Sequence, residues 1–199
     1  MVFRAFTFFY LYWGHYSDPT LFLRLDFLGY IRYDGSMEFF EDFLKVLKAF
    51  QKEKLEYILI GGFAVIIHGM PRVTQDLDIF VKMVPENIEK LRLALKSIFE
   101  DSSIDEITLD DLNEYSVVRY GSPGGFYIDI LGRLGEAAVY EDLEYELITL
   151  KGTEVRIATM ETLYWLKKDT IRPEDRRDAS FLGALMEQRK KSKKSKKVK

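Results

Sequence analysis

The stretch that most constrains this chain runs from residue 57 to 81, YILIGGFAVIIHGMPRVTQDLDIFV. EYILI (56–60) is a short apolar run with the character of a buried strand. Gly61-Gly62 ends it, and FAVIIHG continues as a short apolar helix. MPRVTQ is a loop, and DLDIFVKM (76–83) alternates as a second strand. A strand, a glycine turn, a helix and a returning strand within about thirty residues commit the chain to a fold with mixed layers.

The rest of the middle agrees with this. Phe39, Phe40, Phe43, Leu44, Val46, Leu47 and Phe50 fall at helical spacing, with Ser36 available as N-cap. PENIEKLRLALKSIFE starts with proline and repeats its apolar residues at Ile88, Leu91, Leu95 and Ile98, a helix. YSVVRY (115–120), GSPGG and FYIDIL (126–131) read as a hairpin. Residues 145–150 and 154–158 carry weaker strand signals, and 160–168 and 173–188 close the body with two helices. The expected class is α/β (α+β): a mixed β-sheet with flanking helices and a short C-terminal helical part, 159–188. The main domain is expected over 37–188, with no internal repeat.

The two ends differ from the body. Residues 1–36 are aromatic-rich, and MVFRAFTFFYLYW holds one charge, Arg4. This run is too short to span a bilayer, which takes about 20 apolar residues, and no small-residue cleavage site follows it. Two readings stay open: a natural start at Met37 with upstream sequence attached, or a peripheral hairpin or contact surface. Residues 189–199, RKKSKKSKKVK, are expected to be a disordered Lys-rich tail. It either captures nucleic acid electrostatically or is a solvated end without a task.

Composition removes several function classes. There is no cysteine, hence no disulfide, thiolate metal site or cysteine nucleophile. His15 and His68 are too few for a histidine zinc site, and His68, ending an apolar helix, reads as a packing or capping residue. The net charge is −3, but the tail carries eight Lys and Arg; the remainder has 21 bases against 32 acids, −11. Any nucleic acid is therefore held locally or by the tail. Scarce amides and abundant Lys and Glu resemble a thermophile composition. A cytoplasmic protein without a membrane partner is expected.

The carboxylates carry the chemistry. In a strand Asp76 and Asp78 point to one face, roughly 7 Å apart along the chain. Two like charges there repel unless water or a cation intervenes, and Mg²⁺ or Mn²⁺ suits an all-oxygen donor set. The plainer reading is a solvated pair at the start of the strand. Asp129, between Tyr127, Ile128, Ile130 and Leu131, needs a partner inside an apolar strand, or else faces water from an edge strand. Gly61 and Gly62 permit close ligand approach and free N–H groups for an anion, or simply make a tight turn. Together these groups lay out an in-line phosphoryl displacement with two cations.

On these residues the chain resembles the nucleotidyltransferase superfamily with the polymerase-β-like fold. In that family a Gly-Ser or Gly-Gly is followed by a short helix, a loop, D-x-D on a strand, and a third Asp. GGFAVIIHGMPRVTQDLDI looks most like the minimal, abortive-infection (AbiEii-like) toxin-type group, with thirteen residues between Gly62 and Asp76. The later Glu161, Leu163 and Lys167, then Arg172, Asp175 and Asp178, match the ending of that group, and the resemblance covers about residues 55–185. Gly62 stands where the family often has a serine.

The resemblance implies a metal-dependent enzyme that moves a nucleoside monophosphate from an NTP to a hydroxyl on an RNA 3′ end, a protein or a small molecule. Asp76, Asp78 and Asp129 would be catalytic and hold two Mg²⁺ or Mn²⁺ ions. Gly61, Gly62, Arg72, Thr74 and Lys167 would bind the nucleotide, for which ATP is one donor. Arg72 sits between the glycine turn and Asp76, placed for a phosphate or simply a surface loop arginine. Asp175 and Asp178 read as structural, Asp178 pairing with a base near the site. An antitoxin-like protein partner is implied. The other reading is a non-catalytic interaction or regulatory module on the same fold, with residues 1–36 as its contact surface.

Overall fold

The computed structural model describes residues 37–134 and 138–196. The readings placed on residues 1–36, Ser36 included, lie outside the described residues. Among the described residues, six α-helices and eight strands follow one another: α1 (Met37–Lys52), β1 (Tyr57–Leu59), α2 (Gly61–Ile67), β2 (Asp76–Val81), α3 (Pro85–Lys96), α4 (Leu109–Glu114), β3 (Val118–Gly121), β4 (Tyr127–Leu131), β5 (Arg133–Leu134), β6 (Ala138–Val139), β7 (Tyr145–Leu150), β8 (Thr153–Ala158), α5 (Met160–Lys167) and α6 (Pro173–Lys196). Short 3₁₀ turns occupy Ser102–Glu106 and Tyr140–Asp142.

Six strands form one mixed sheet in the order β3-β4-β2-β1-β8-β7, and β5 pairs with β6 apart from it. β1 runs antiparallel to β2 and parallel to β8, β2 runs parallel to β4, and the β3–β4 and β7–β8 pairs are antiparallel. The mixed α/β class read from the sequence is the class observed.

One face of the sheet carries the core. Tyr57, Leu59, Leu77, Ile79, Ile128 and Ile130 are buried there. α1 covers it with its aromatic stripe: Phe50 meets Tyr57, and Phe43 meets Phe126 and Phe63 edge-on. α3 packs beside α1 through the buried Ile88, Leu91 and Leu95, the pattern its spacing predicts. α5 and α6 pack on each other and on α2 at the end of the sheet, with Leu163 and Leu182 fully buried.

The tail departs from expectation. α6 continues unbroken through Lys196, so residues 189–196 are helical rather than disordered. Lys and Arg are good helix formers, and positive charge at a helix C-terminus is favoured by the backbone dipole. A helix already anchored by Leu182, Leu185 and Met186 can therefore run on past its last packed residue. No helix among the described residues is long and apolar enough to cross a membrane.

Candidate active site

The opposite face of the sheet holds the carboxylates. β2 alternates Leu77, Ile79 and Val81 toward the core with Asp76 and Asp78 away from it. β4 does the same with Ile128 and Ile130 against Tyr127 and Asp129. The β2–β4 register places Asp78 directly opposite Asp129, and Asp76 opposite Tyr127. Residues paired in a ladder share a face, so three carboxylates and one tyrosine lie together on two central strands.

Asp129 is buried and lies on an interior strand, not on an edge. Its partner is Arg119 of β3, which pairs with it in the hairpin register. Arg119 Nε donates to Oδ1 and Nη2 to Oδ2, each at 2.7 Å, a two-armed charge-assisted contact. The same guanidinium stacks over the Tyr127 ring, 4.9 Å from its centroid. Arg119 was not among the residues singled out from the sequence. The signal was present: a hairpin folded about GSPGG sets 119 opposite 129.

Asp78 is strongly perturbed by its surroundings. Burial, then the charges of Asp129 and Asp76, push its carboxyl up to about 6, while the Gly62 N–H and Lys167 pull the other way. Gly62 N–H donates to Asp78 Oδ2 at 3.3 Å. The glycine turn thus faces the D-x-D strand itself. Gly61 has φ +68°, a left-handed conformation that favours glycine, and a Cβ there would lie 2.0 Å from Asp78 Oδ2.

Arg72 and Thr74 flank the turn from the loop before β2. A Cβ on Gly62 would lie 3.0 Å from Thr74 Oγ1 and 3.1 Å from Arg72 Nη2. Arg72 Nη1 donates to Asp178 Oδ2 at 2.6 Å, and Lys167 Nζ lies 3.0 Å from the same oxygen. Lys167 is also bonded to Asp175, which accepts from Thr170 as well. Burial works against the Asp175 carboxylate, but Lys167, Thr170 and Arg172 together outweigh it and hold the carboxyl below its ordinary value. Lys167, Asp175 and Asp178 are all buried, and Asp178 Oδ1 accepts no hydrogen bond among the described residues. Asp178 therefore pairs with two bases beside the glycine turn. Lys167 presents its ammonium to these acids, not to open space. His68 Nε2 lies 2.9 Å from the Ala158 carbonyl oxygen, to which it donates, a packing contact.

The donor set fits a hard divalent cation in its chemistry: Asp76 and Asp78 are oxygen donors on one face, and burial, then the charges of Asp129 and Asp76, penalise the Asp78 carboxylate, a penalty that a bound cation would relieve. As the side chains stand, no three His, Asp or Glu among the described residues gather to coordinate one ion. Arg119 engages both oxygens of Asp129.

A family model described as nucleotidyl transferase AbiEii toxin, type IV TA system, matches residues 43–180. No curated protein matches the chain. Among solved structures, the lincomycin-bound lincosamide antibiotic adenylyltransferase LnuA aligns with a TM-score of 0.52 at 15% identity, over 73% of this chain and 96% of that one. A protein described as a nucleotidyltransferase from Thermotoga maritima aligns with a TM-score of 0.45 at 14% identity, over 76% and 94%. The antibiotic-resistance factor ANT(2'')-Ia aligns with 0.41 at 15%, over 78% and 95%. The likeness to the first of these is one of fold.

Proposed function

The chain belongs to the family of AbiEii nucleotidyl transferase toxins, and on that premise we propose that Asp76, Asp78 and Asp129 form the catalytic centre of a metal-dependent transfer of a nucleoside monophosphate from an NTP to a hydroxyl. Membership makes the protein a nucleotidyltransferase, an enzyme, and favours this over a non-catalytic module on the same fold. The observation that carries the site is the register of β2 and β4, which sets Asp78 against Asp129 on the face opposite the core.

Asp76 and Asp78 would hold the Mg²⁺ or Mn²⁺ ions, and Asp129 would join them on the acceptor side. Bound there, the ions would neutralise the triphosphate and lower the pKa of the attacking hydroxyl. The hydroxyl oxygen bonds to the α-phosphorus, the bond from that phosphorus to the bridging oxygen breaks, and pyrophosphate leaves. Asp129, or water beside it, takes the hydroxyl proton. Gly61 keeps the backbone out of the way of Asp78. Arg72, with Thr74 beside Gly62, supplies positive charge on the side where the phosphates arrive, and Lys167 adds to the field behind it. Most of the catalytic effect is then positioning and charge neutralisation.

The reading extends to a toxin role within a toxin–antitoxin pair, with an antitoxin-like protein as partner. The acceptor side is the β3–β4 half of the face, where an RNA 3′ end, a protein hydroxyl or a small molecule would enter. The test is calorimetric titration of each of the four ribonucleoside triphosphates, with and without Mg²⁺, into the wild type and an Asp76→Ala/Asp78→Ala variant. Metal-dependent binding that the variant loses is the expected result. Equal binding by a folded variant overturns the site.

A further inference from the structure

Arg119 is a cationic group beside Asp129 that the proposed reaction does not use. The β3–β4 register fixes it opposite Asp129, and its fork engages both carboxylate oxygens at 2.7 Å. It thereby engages both of the oxygens that Asp129 would offer to a cation.

We propose that Arg119 and a divalent cation compete for Asp129, so that Arg119 is a built-in counter-ion which keeps the third carboxylate out of the ligand set until a cation takes it. This rests on the cation-site reading above. Asp129 is fixed: its side chain is 11% exposed and its strand lies between two others. Arg119 is free to leave, because its side chain is 53% exposed and its release buries no charge. It also has a second seat. The Tyr127 ring already lies under its guanidinium, and Tyr127 is 42% exposed on the same face. An ion pair this exposed on one side is weak, since water competes for the guanidinium. A divalent cation that gains Asp78 and Asp76 as well as Asp129 offers the carboxylate more than one singly charged arginine. The pair thus neutralises Asp129 in the empty enzyme and gives way when the site fills.

The test is Mn²⁺ binding without nucleotide, followed by the electron paramagnetic resonance of the free ion. Wild type, Arg119→Gln, Asp129→Asn and the double variant are compared, with circular dichroism to confirm folding. Arg119→Gln is expected to bind Mn²⁺ roughly fivefold more tightly, the scale of a weak ion pair removed. The gain is expected to vanish in the Asp129→Asn background. Mn²⁺ is also expected to raise the melting temperature of Arg119→Gln more than that of the wild type. Arg119→Lys, which keeps the charge and loses one arm of the fork, gives a smaller gain and covers the case in which Arg119→Gln does not fold.

Affinity unchanged or weakened in both Arg119 variants overturns the competition. So does a gain that persists with Asp129→Asn, since that gain comes from long-range charge alone. If Mn²⁺ binding is lost in Asp76→Asn/Asp78→Asn but ignores Arg119, the cation site stands and the competition falls. No Mn²⁺ binding by wild type or Arg119→Gln overturns both.

Discussion

Gly61 lies so close to Asp78 that a Cβ placed on it would stand 2.0 Å from Asp78 Oδ2, in a backbone conformation of φ +68°. Gly61→Ala is therefore expected to fail twice. The left-handed conformation costs about 1 kcal/mol for an L side chain. The methyl also drives Asp78 out of its place, and a displacement of about 1 Å at a reacting group costs on the order of a hundredfold in turnover. Gly62→Ala is the control. Gly62 lies in the helix, and its Cβ would approach the ends of the Thr74 and Arg72 side chains at 3.0 and 3.1 Å. It is expected to fold with nearly wild-type melting and to lose only part of its nucleotide affinity. Thermal melts and NTP titrations of the two variants check this.

The raised Asp78 carboxyl sets a pH dependence whose sign is fixed. Its value goes from 3.8 to about 6 in the folded protein, through burial and the charges of Asp129 and Asp76. The folded state binds this proton more tightly than the unfolded chain. The stability it contributes is complete below about pH 4 and is lost as pH rises through 6. Asp78→Asn removes the charge that is penalised. Without divalent cations, it is expected to be more stable than the wild type at pH 8, by on the order of 2–3 kcal/mol. The gap is expected to narrow as pH falls through 6. Mn²⁺ affinity of the wild type is expected to fall over the same range, because the proton and the cation seek one carboxylate. Denaturant melts with a chelator, and Mn²⁺ titrations at pH 5 and 7.5, read both effects.

The parts of this site legible in the sequence are those with local causes. Alternation along DLDIFV puts Asp76 and Asp78 on one face without reference to any other segment. The spacing of Ile88, Leu91 and Leu95 marks α3, and GSPGG marks the β3–β4 turn. What needed the fold is pairing at a distance. Asp78 meets Asp129 through a parallel register across 51 residues of chain, and no local pattern sets that register. Asp178 meets Arg72 across 106 residues. The helix α4 was missed because its six residues, LDDLNE, are too few to show a period; Thr108 accepting from the Asp111 N–H caps it instead. The length of α6 was missed because low complexity reads as disorder when the packed turns that precede it are not considered.

Asp178 is 1% exposed and holds both Arg72 and Lys167, while its Oδ1 has no partner among the described residues. Asp178→Ala removes the acid and leaves Lys167 with Asp175, and Arg72 without its carboxylate. A broken buried pair of this kind costs about 3–5 kcal/mol, most of it from the charge left behind. Asp178→Asn keeps the shape and one acceptor oxygen, so its loss is expected to be smaller. Both are expected to weaken NTP binding, since Arg72 is no longer pinned beside Gly62. Urea unfolding and NTP titration separate the two effects: an intact affinity in folded Asp178→Asn would place Arg72 outside the phosphate site.

The last packed apolar residues of α6 are Leu185 and Met186, yet the helix continues to Lys196. Everything after Gln188 can therefore be removed without touching the core. Deletion of residues 189–199 is expected to change stability by less than about 0.5 kcal/mol, the range of surface changes. Its electrostatic consequence is much larger. The deletion takes eight bases from a chain of net charge −3 and leaves −11. If the helical extension is the handle for a nucleic acid acceptor, its removal lowers RNA affinity at low salt. It also flattens the dependence of log K on log salt, by about 0.7 for each single-strand phosphate that the extension neutralises. An unchanged slope in the truncated protein means that RNA, where it binds, is held by the body despite its negative charge. Filter binding of a single-stranded RNA across a salt series, with full-length and truncated protein side by side, decides between these two.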